Sequence, residues 1–330
     1  MKKVVSFFGD RSDIFEKLNA QAKEYALELG LHYEWVPQNP FNMEEVIRCL
    51  KTADAGIIDI QPYDEEVFRQ IDSSTRILVR FGVGYDKVDL SAASRHGIAV
   101  ARTTGANTLG VAEMALTLLL AARRELKSAQ QQVDTGNWSK NVVSETVGAT
   151  VGIMGFGAIG RALTELLSGF GCRVLAYDPY PNLELAKAMN VTMVSLEKLF
   201  RESDAISIHV PYGPSTHHMV DKQLLSLMKP TAVLVNTARG GIVDEDGLYE
   251  VLAARSIRGA AFDVFEQEPL PVSSPLIGLD NMILSSHLSS QTEESLWRIY
   301  KLAIDITADF FAGKGSVHIL NPDYAKGENT

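Results

Sequence analysis

Cysteine, long apolar runs and positive charge are all scarce in this chain of 330 residues, and each scarcity excludes a class of protein. Cysteine occurs only as Cys49 and Cys172, so no disulfide framework is implied and a reducing cytoplasm is the expected location. The longest apolar block, 114–122, is far shorter than a bilayer span, and no targeting segment is visible at the start. The net charge of −10 argues against nucleic acid or an anionic membrane as a partner.

What is abundant is an α/β pattern with a glycine-rich turn at its centre. Residues 149–178 show an apolar strand, the sequence Gly-Phe-Gly-Ala-Ile-Gly, a helix and a second apolar strand that ends at Asp178. Gly155 suits a tight turn, Gly157 lets a pyrophosphate approach bare backbone, and Gly160 lets the helix lie close to the strand. Anions are favoured at the helix N-terminus, and Asp178 can accept hydrogen bonds from a ribose diol. The pattern predicts a dinucleotide site.

Two series of apolar strands alternate with amphipathic helices. The predicted strands of the first series are 3–8, 31–36, 55–60, 76–79 and 98–101, and those of the second begin at Thr150 and continue at 173–177, 205–209, 232–236, 258–262 and 282–284. Helices are predicted over 108–125 and from about 292 to 311, and the segment 127–147 directly after the first of them is polar. Strands without strict alternation are typical of parallel sheets covered on both faces. The chain is therefore predicted to form two α/β domains with a cleft between them.

Polar side chains follow three strands of the second series. Arg239, Glu268 and His287 come just after strand ends, where ligands bind in open parallel sheets. An arginine can hold a 2-oxo acid, a histidine can move a proton near neutral pH, and a carboxylate can favour the protonated imidazole. His209 also ends a strand, so position alone leaves the choice between His209 and His287 open.

Several of these stretches together resemble the D-isomer-specific 2-hydroxyacid dehydrogenases, and among them the phosphoglycerate dehydrogenase-like branch. The resemblance spans nearly the whole chain. The matching stretches are Arg80 to Leu90 (RFGVGYDKVDL), Asn107 with Val111-Ala-Glu113, the 155–160 loop, Asn236 to Asp244 (NTARGGIVD), Asp263 to Pro269 (DVFEQEP) and His287.

The resemblance implies a Rossmann-type NAD domain, residues 102–288, inserted into a flavodoxin-like substrate domain formed by residues 1–101 and 289–330. By motif match, Arg239 binds the substrate, His287 is the acid/base, and Glu268 pairs with that histidine. The substrate carboxylate is received by the backbone of Val83 and Gly84, with Arg80 and Asn107 nearby. The resemblance also implies that NAD contacts Asp178, the glycine loop and residues beside the nicotinamide ring. The loop residues are Gly155, Gly157, Ala158, Ile159 and Gly160, and the residues on the nicotinamide side are Val210, Thr237, Ala238 and Asp263.

Two positions depart from the family pattern. Ser286 stands where proline commonly precedes the histidine, and Lys87 replaces the usual asparagine after Asp86. Neither removes a catalytic group, so we interpret both as hints about rate or substrate preference.

The implied activity is NAD-dependent interconversion of a 2-oxo acid and its D-2-hydroxy acid. Asp178 repels a 2′-phosphate and residues 179–181 supply no arginine, so NAD is expected over NADP. A homodimer is expected through the 108–125 helix and the Trp138-bearing segment, and no metal is predicted. A methyltransferase does not explain Arg239, Glu268 and His287, and a short-chain dehydrogenase is disfavoured because the sequence has no Tyr-x-x-x-Lys. A non-enzymatic, corepressor-like NAD-binding protein on the same fold is the remaining alternative.

Overall fold

The computed structural model describes residues 1–329 and divides the chain into two compact units. The first unit contains residues 1–107 together with the segment from Thr292 onward, and the second contains residues 108–291. One unit is thus inserted into the other along the chain. These limits lie a few residues beyond the domain limits that the resemblance implies.

The first unit is a five-stranded parallel sheet in the order β2-β1-β3-β4-β5. Apolar side chains cover both faces of the sheet, and the C-terminal helix α12 packs against α1 and β4. This strand order is that of flavodoxin-like sheets. Numbered along the chain, its elements are β1 (Lys2–Ser6), α1 (Asp13–Glu28), β2 (Leu31–Trp35), α2 (Met43–Leu50), β3 (Ala55–Ile58), α3 (Glu65–Ile71), β4 (Ile77–Arg80), α4 (Leu90–Arg95), β5 (Ala99–Arg102) and α12 (Glu293–Phe311).

The second unit is a seven-stranded parallel sheet in the order β12-β11-β10-β9-β6-β7-β8. The order reverses between β6 and β9, which is the switch point where Rossmann-type sheets bind ligands. Its elements are α5 (Thr108–Arg123), α6 (Leu126–Asp134), β6 (Thr150–Met154), α7 (Ala158–Leu166), β7 (Arg173–Tyr177), α8 (Leu183–Ala188), β8 (Val191–Met193), α9 (Leu196–Glu202), β9 (Ala205–Ile208), α10 (Lys222–Leu225), β10 (Val233–Asn236), α11 (Glu245–Ala253), β11 (Gly259–Phe262) and β12 (Met282–Leu284).

The prediction of two α/β domains is confirmed, with two differences in detail. The short strand β8 was not predicted from the sequence, since three residues are too few to show a pattern. The predicted helix 108–125 ends at Arg123, because Glu125 has a left-handed backbone (φ 49°). A second helix, α6, begins directly after it and extends into the segment that the sequence showed only to be polar.

The helix α5 is apolar on nearly every side and packs against α7, β10 and β11 of its own unit. No helix within residues 1–329 is long and apolar enough to cross a membrane.

Candidate active site

The glycine loop has the geometry that its three glycines predict. Gly155 has φ 102°, and a Cβ there would lie 2.7 Å from the backbone of His209. A Cβ on Gly160 would lie 2.3 Å from the carbonyl oxygen of Gly155 and 2.8 Å from Ile153. Both positions therefore require glycine, one for the turn and one for close packing of α7 on β6.

Gly157 differs from the other two because a Cβ there would meet nothing within 4 Å. It is the N-cap of α7 and, lacking a side chain, gives that end of the helix no side-chain cap. Ala158 and Ile159 form the first turn of this helix. Open space beside an uncapped helix N-terminus fits a pyrophosphate, which the N–H groups of the first turn attract.

Asp178, at the end of β7, holds this loop in place. Its Oδ2 accepts a hydrogen bond from the N–H of Phe156 at 2.9 Å, and its Oδ1 accepts one from the N–H of Tyr180 at 2.9 Å. The carboxylate therefore lies directly beside the glycine loop, at the place where the sequence predicts the ribose.

The residues predicted to line the nicotinamide lie at the ends of β9, β10 and β11. Val210 and Thr237 are buried, and Ala238 is partly buried. The hydroxyl of Thr237 is buried without a hydrogen-bond partner among the described residues. Because an unpartnered buried hydroxyl is costly, this atom fits a polar group of a bound ligand.

His287 and Glu268 form a hydrogen-bonded pair. Nδ1 of His287 lies 2.8 Å from Oε2 of Glu268, while Oε1 of that carboxylate accepts a hydrogen bond from the N–H of Phe265 at 3.0 Å. The imidazole is 36% exposed, and its Nε2 has no hydrogen-bond partner within residues 1–329. One ring nitrogen is thus held by the carboxylate and the other is left for a reactant.

The charge state of Glu268 is set by its neighbours. Partial burial raises the pKa of its carboxyl. The hydrogen bond and the charge of His287, the N–H of Phe265 and the charge of Arg239 together lower that pKa by more, so the pKa of Glu268 lies below its usual value. Glu268 is therefore an anion near neutral pH, and its charge lies beside Nδ1 of His287.

Asp263 fixes the loop that carries His287. The carboxylate is fully buried and accepts hydrogen bonds from Ser285 Oγ at 2.6 Å and from the N–H groups of Leu288 and Ser289, each at 2.8 Å. The N–H of His287 donates to the backbone oxygen of Asp263 at 2.8 Å. His287 has a left-handed backbone (φ 57°), which the surrounding bonds maintain. Asp263 thus holds this loop in place, and its position beside NAD stays a prediction from the resemblance.

Arg239 lies in a turn after β10 that the polar side chain of Asn236 shapes. Nδ2 of Asn236 donates to the carbonyl of Arg239 at 2.9 Å, and its Oδ1 accepts from the N–H of Ala238 at 3.0 Å. A Cβ on Gly240 would lie 1.8 Å from the backbone of Phe265, so this turn packs directly against the loop that carries Glu268. The structure therefore brings Arg239, Glu268 and His287 together in one unit.

His209 is distinguished from His287 by its environment. Burial lowers the pKa of His209 to about 3, and Nε2 of its ring lies 2.9 Å from the hydroxyl of Ser207. A histidine that is neutral near pH 7 cannot supply a proton as an imidazolium, so these surroundings favour His287, whose catalytic role stays a prediction.

The four residues predicted to bind substrate lie in the first unit. Val83 and Gly84 are in the loop after β4, and both are partly exposed. Arg80 is 8% exposed and lies 3.5 Å from Asp59. The side-chain oxygen of Asn107 is buried without a hydrogen-bond partner within the described chain. Their roles stay predictions.

Sequence reasoning missed two residues beside this loop. Thr103 supports it, since its Oγ1 accepts a hydrogen bond from the N–H of Gly82 at 2.8 Å, whereas Arg102 Nη1 lies 3.4 Å from the carbonyl oxygen of Val83, which is long for a hydrogen bond. Both come at the end of β5, and that position was the available signal. Ser286 and Lys87, the two positions that depart from the family pattern, are both exposed.

Comparison with known proteins agrees with this geometry. A family model described as the NAD-binding domain of D-isomer-specific 2-hydroxyacid dehydrogenases matches residues 116–289. The glyoxylate reductase of Korarchaeum cryptofilum is 36% identical over 305 residues, 89% of this chain and 92% of that protein. The D-3-phosphoglycerate dehydrogenase of Methanocaldococcus jannaschii is 36% identical over 255 residues, 76% of this chain, which spans about half (48%) of that longer protein.

A solved structure of D-2-hydroxyisocaproate dehydrogenase covers 97% of this chain and 99% of its own, with a TM-score of 0.86 at 27% identity. The fold, the geometry of the glycine loop and the match to the family model all indicate the same family. The protein belongs to the D-isomer-specific 2-hydroxyacid dehydrogenases, the NAD-dependent oxidoreductases of 2-hydroxy acids.

Proposed function

We propose that the protein reduces a small 2-oxo acid of the glyoxylate, hydroxypyruvate or phosphohydroxypyruvate type to its D-2-hydroxy acid, and catalyses the reverse reaction. The observation that carries this proposal is the pair formed by His287 Nδ1 and Glu268 Oε2 at 2.8 Å. Glyoxylate reductase and phosphoglycerate dehydrogenase among the relatives support this range of substrates.

In the proposed mechanism, each residue acts at a stated atom. The bound nicotinamide supplies the hydride. His287 donates a proton from Nε2 to the carbonyl oxygen, while the anionic Glu268 keeps the proton on Nδ1 and stabilises the imidazolium. Arg239 holds the substrate and offsets the charge that develops on the oxygen. The backbone of Val83 and Gly84 receives the substrate carboxylate, with Arg80 and Asn107 nearby.

We further propose that NAD is preferred over NADP. The carboxylate of Asp178 lies beside the glycine loop through its bond to Phe156, so a 2′-phosphate on the ribose meets a negative charge there. Comparable kcat/KM values for NADH and NADPH would contradict this preference.

The homodimer stays a proposal, through α5 and the segment that follows it. Much of α5 packs within its own unit, but its Leu109 is 57% exposed. In the following segment, Trp138 is 79% exposed and Val142 is 94% exposed. Large exposed apolar side chains that cluster along one segment are typical of interaction surfaces. The reducing cytoplasm stays a prediction from the cysteine content.

The activity is tested by following NADH oxidation against a panel of 2-oxo acids and determining the configuration of the product. We expect turnover of at least one of them to the D-isomer. His287→Ala should lower kcat by about 10²–10⁴-fold, the usual contribution of a general acid. NADH binding should persist in this variant, and the matched control His32→Ala, an exposed histidine of β2, should keep wild-type rates.

Two outcomes would contradict the proposal. Wild-type rates in His287→Ala would remove the assigned acid. NADH binding without turnover of any panel member would instead support the corepressor-like protein on the same fold.

A further inference from the structure

Two arginines lie side by side at the carboxyl end of the five-stranded sheet. Arg80 ends β4 and Arg102 ends β5, and the two residues are partners in the register of these strands. The loop with Val83 and Gly84 starts from the same edge. Ligands of parallel sheets bind beyond this edge, so two cations are placed where a substrate is expected.

The charge of Arg80 is balanced by the fold. Its side chain is 9% exposed and lies 3.5 Å from Asp59, and its Nη1 donates to the carbonyl of Phe81. A buried guanidinium with a carboxylate partner is expensive to separate from that partner. Arg80 is therefore committed to the interior of the unit, behind the Val83 loop.

Arg102 is in a different situation. The residue is partly exposed, and none of its nitrogens lies within 4.0 Å of a carboxylate oxygen among residues 1–329. One nitrogen approaches the carbonyl of Val83 at 3.4 Å, which is long for an N–H···O bond. The guanidinium lies 5.1 Å from the ring centre of Tyr85, which is itself partly exposed. Its planar fork is thus oriented by a ring, while most of its five donors are left for an anion.

The backbone beneath Arg102 is held on two sides. Its own N–H donates to the carbonyl of His318 at 3.2 Å, and the adjacent Thr103 exchanges backbone and side-chain hydrogen bonds with Gly82. Arg102 therefore extends from a fixed strand end beside the loop of Val83 and Gly84.

We propose that Arg102 determines substrate specificity by binding a second anionic group, a sulfonate, phosphate or carboxylate, on carbon 3 of the 2-oxo acid. The inference rests on the proposed function, in which Val83 and Gly84 receive the carboxylate on carbon 1. A cation without a carboxylate partner, in a chain with a net charge of −10, selects for a dianionic substrate over a monoanionic one. Glyoxylate, pyruvate and hydroxypyruvate lack this second anion.

The test compares kcat/KM for dianionic 2-oxo acids (sulfopyruvate, 3-phosphohydroxypyruvate and oxaloacetate) with kcat/KM for glyoxylate, pyruvate and hydroxypyruvate. The wild type should prefer at least one dianion. Arg102→Gln should lower kcat/KM for that dianion by about 10- to 100-fold through KM, as expected for a charge-assisted hydrogen bond. It should change the monoanions by less than about threefold. Comparison of the three dianions identifies which anionic group Arg102 binds.

Two further variants make the result specific. Arg102→Lys keeps the charge but loses the planar fork, and should recover part of the discrimination. Arg69→Gln, which removes an exposed arginine paired with Glu66 on α3, should change neither class of substrate.

Equal losses for both classes in Arg102→Gln would show that Arg102 only braces the Val83 carbonyl, and would overturn the inference. Unchanged discrimination in that variant would overturn it as well. In both cases turnover of monoanions by the wild type keeps the proposed function intact, whereas a wild type that turns over no 2-oxo acid removes the proposed function itself.

Discussion

At the scale of single residues, the chemistry depends on which histidine can carry a proton. His209 and His287 both follow strands, but the ring of one is buried beside Ser207 and the ring of the other is paired with a carboxylate. Sequence position is the same for both, and only the surroundings separate them. The pKa of Glu268 lies below its usual value, so an anion lies beside the ring of His287.

Glu268→Gln removes this anion and leaves a group of nearly the same shape. Because the amide stabilises an imidazolium less, the protonated imidazole is lost at lower pH, and we expect the midpoint of the pH profile for 2-oxo acid reduction to fall. The measurement is kcat/KM for reduction between pH 5 and 9 at saturating NADH. Glu266→Gln, an exposed neighbour paired with His218, is the control and should leave the midpoint in place. An unchanged midpoint in Glu268→Gln would contradict the pairing.

At the scale of elements, different glycines of one loop serve different purposes. Gly160 allows α7 to pack on β6, and Gly157 leaves space for a cofactor to bind. Gly160 is enclosed by the backbone of Gly155 and by Ile153, whereas Gly157 faces open space. Substitution of Gly160 should therefore affect mainly the stability of the fold, and substitution of Gly157 mainly the binding of NADH.

Gly160→Ala should destabilise the protein by about 1–3 kcal/mol, since its Cβ clashes with backbone that cannot move freely. Gly157→Ala should change stability by less than about 1 kcal/mol but weaken NADH binding, because the methyl group occupies the space of the pyrophosphate. Denaturant unfolding and NADH fluorescence titration measure the two effects. NADH affinity at the wild-type level in Gly157→Ala would place the pyrophosphate elsewhere.

A second element-scale feature joins α4 to both ends of α3. His96, the C-cap of α4, lies 2.7 Å from Glu65 at the start of α3 and 2.8 Å from Asp72 at its end. Burial lowers the pKa of His96, but the hydrogen bonds to the two carboxylates and their negative charges together raise it by more, so the pKa lies above its usual value. This raised pKa stabilises the fold fully below the pKa of an unfolded histidine, and the contribution is lost as pH rises through the folded pKa.

His96→Gln should therefore lower the melting temperature most near pH 5.5 and least near pH 9. The measurement is the difference in melting temperature between wild type and variant across this range, with His32→Gln as a control. A difference independent of pH would show that the charge of His96 contributes nothing.

At the scale of the whole molecule, the two units are built by a chain that leaves the first sheet after β5 and returns to it as α12. Each sheet has its own apolar layers on both faces. The exposed segment with Trp138 belongs to neither layer, which is why we assign it to contact with a second copy.

Trp138→Ser tests this contact. We expect the wild type to have the mass of a dimer in light scattering and the variant to be monomeric at protein concentrations at which the wild type is still a dimer, since a large aromatic side chain often dominates an interface. Tyr180→Ser, which removes an aromatic side chain that is 91% exposed outside this segment, is the control. A monomeric wild type would remove the dimer from the proposal.

The sequence by itself determined the two α/β series and the glycine loop with Asp178, and it placed Arg239, Glu268 and two candidate histidines, His209 and His287, after strands. These features depend on local periodicity and on residue types that follow strand ends, and both are visible along a single chain. The pattern could not show β8 or α6, because three residues carry no periodicity and a left-handed turn at Glu125 restarts a helix without a sequence signal.

Only the tertiary structure decided which charges are balanced and which histidine is neutral. Asp59 offsets Arg80, burial neutralises His209, and Asp263 holds the loop of His287 through four partners that lie more than 20 residues away. These properties depend on burial and on neighbours brought together by strand order. The sequence shows that such residues follow strands, but it does not show the burial and the neighbouring charges that determine their pKa values.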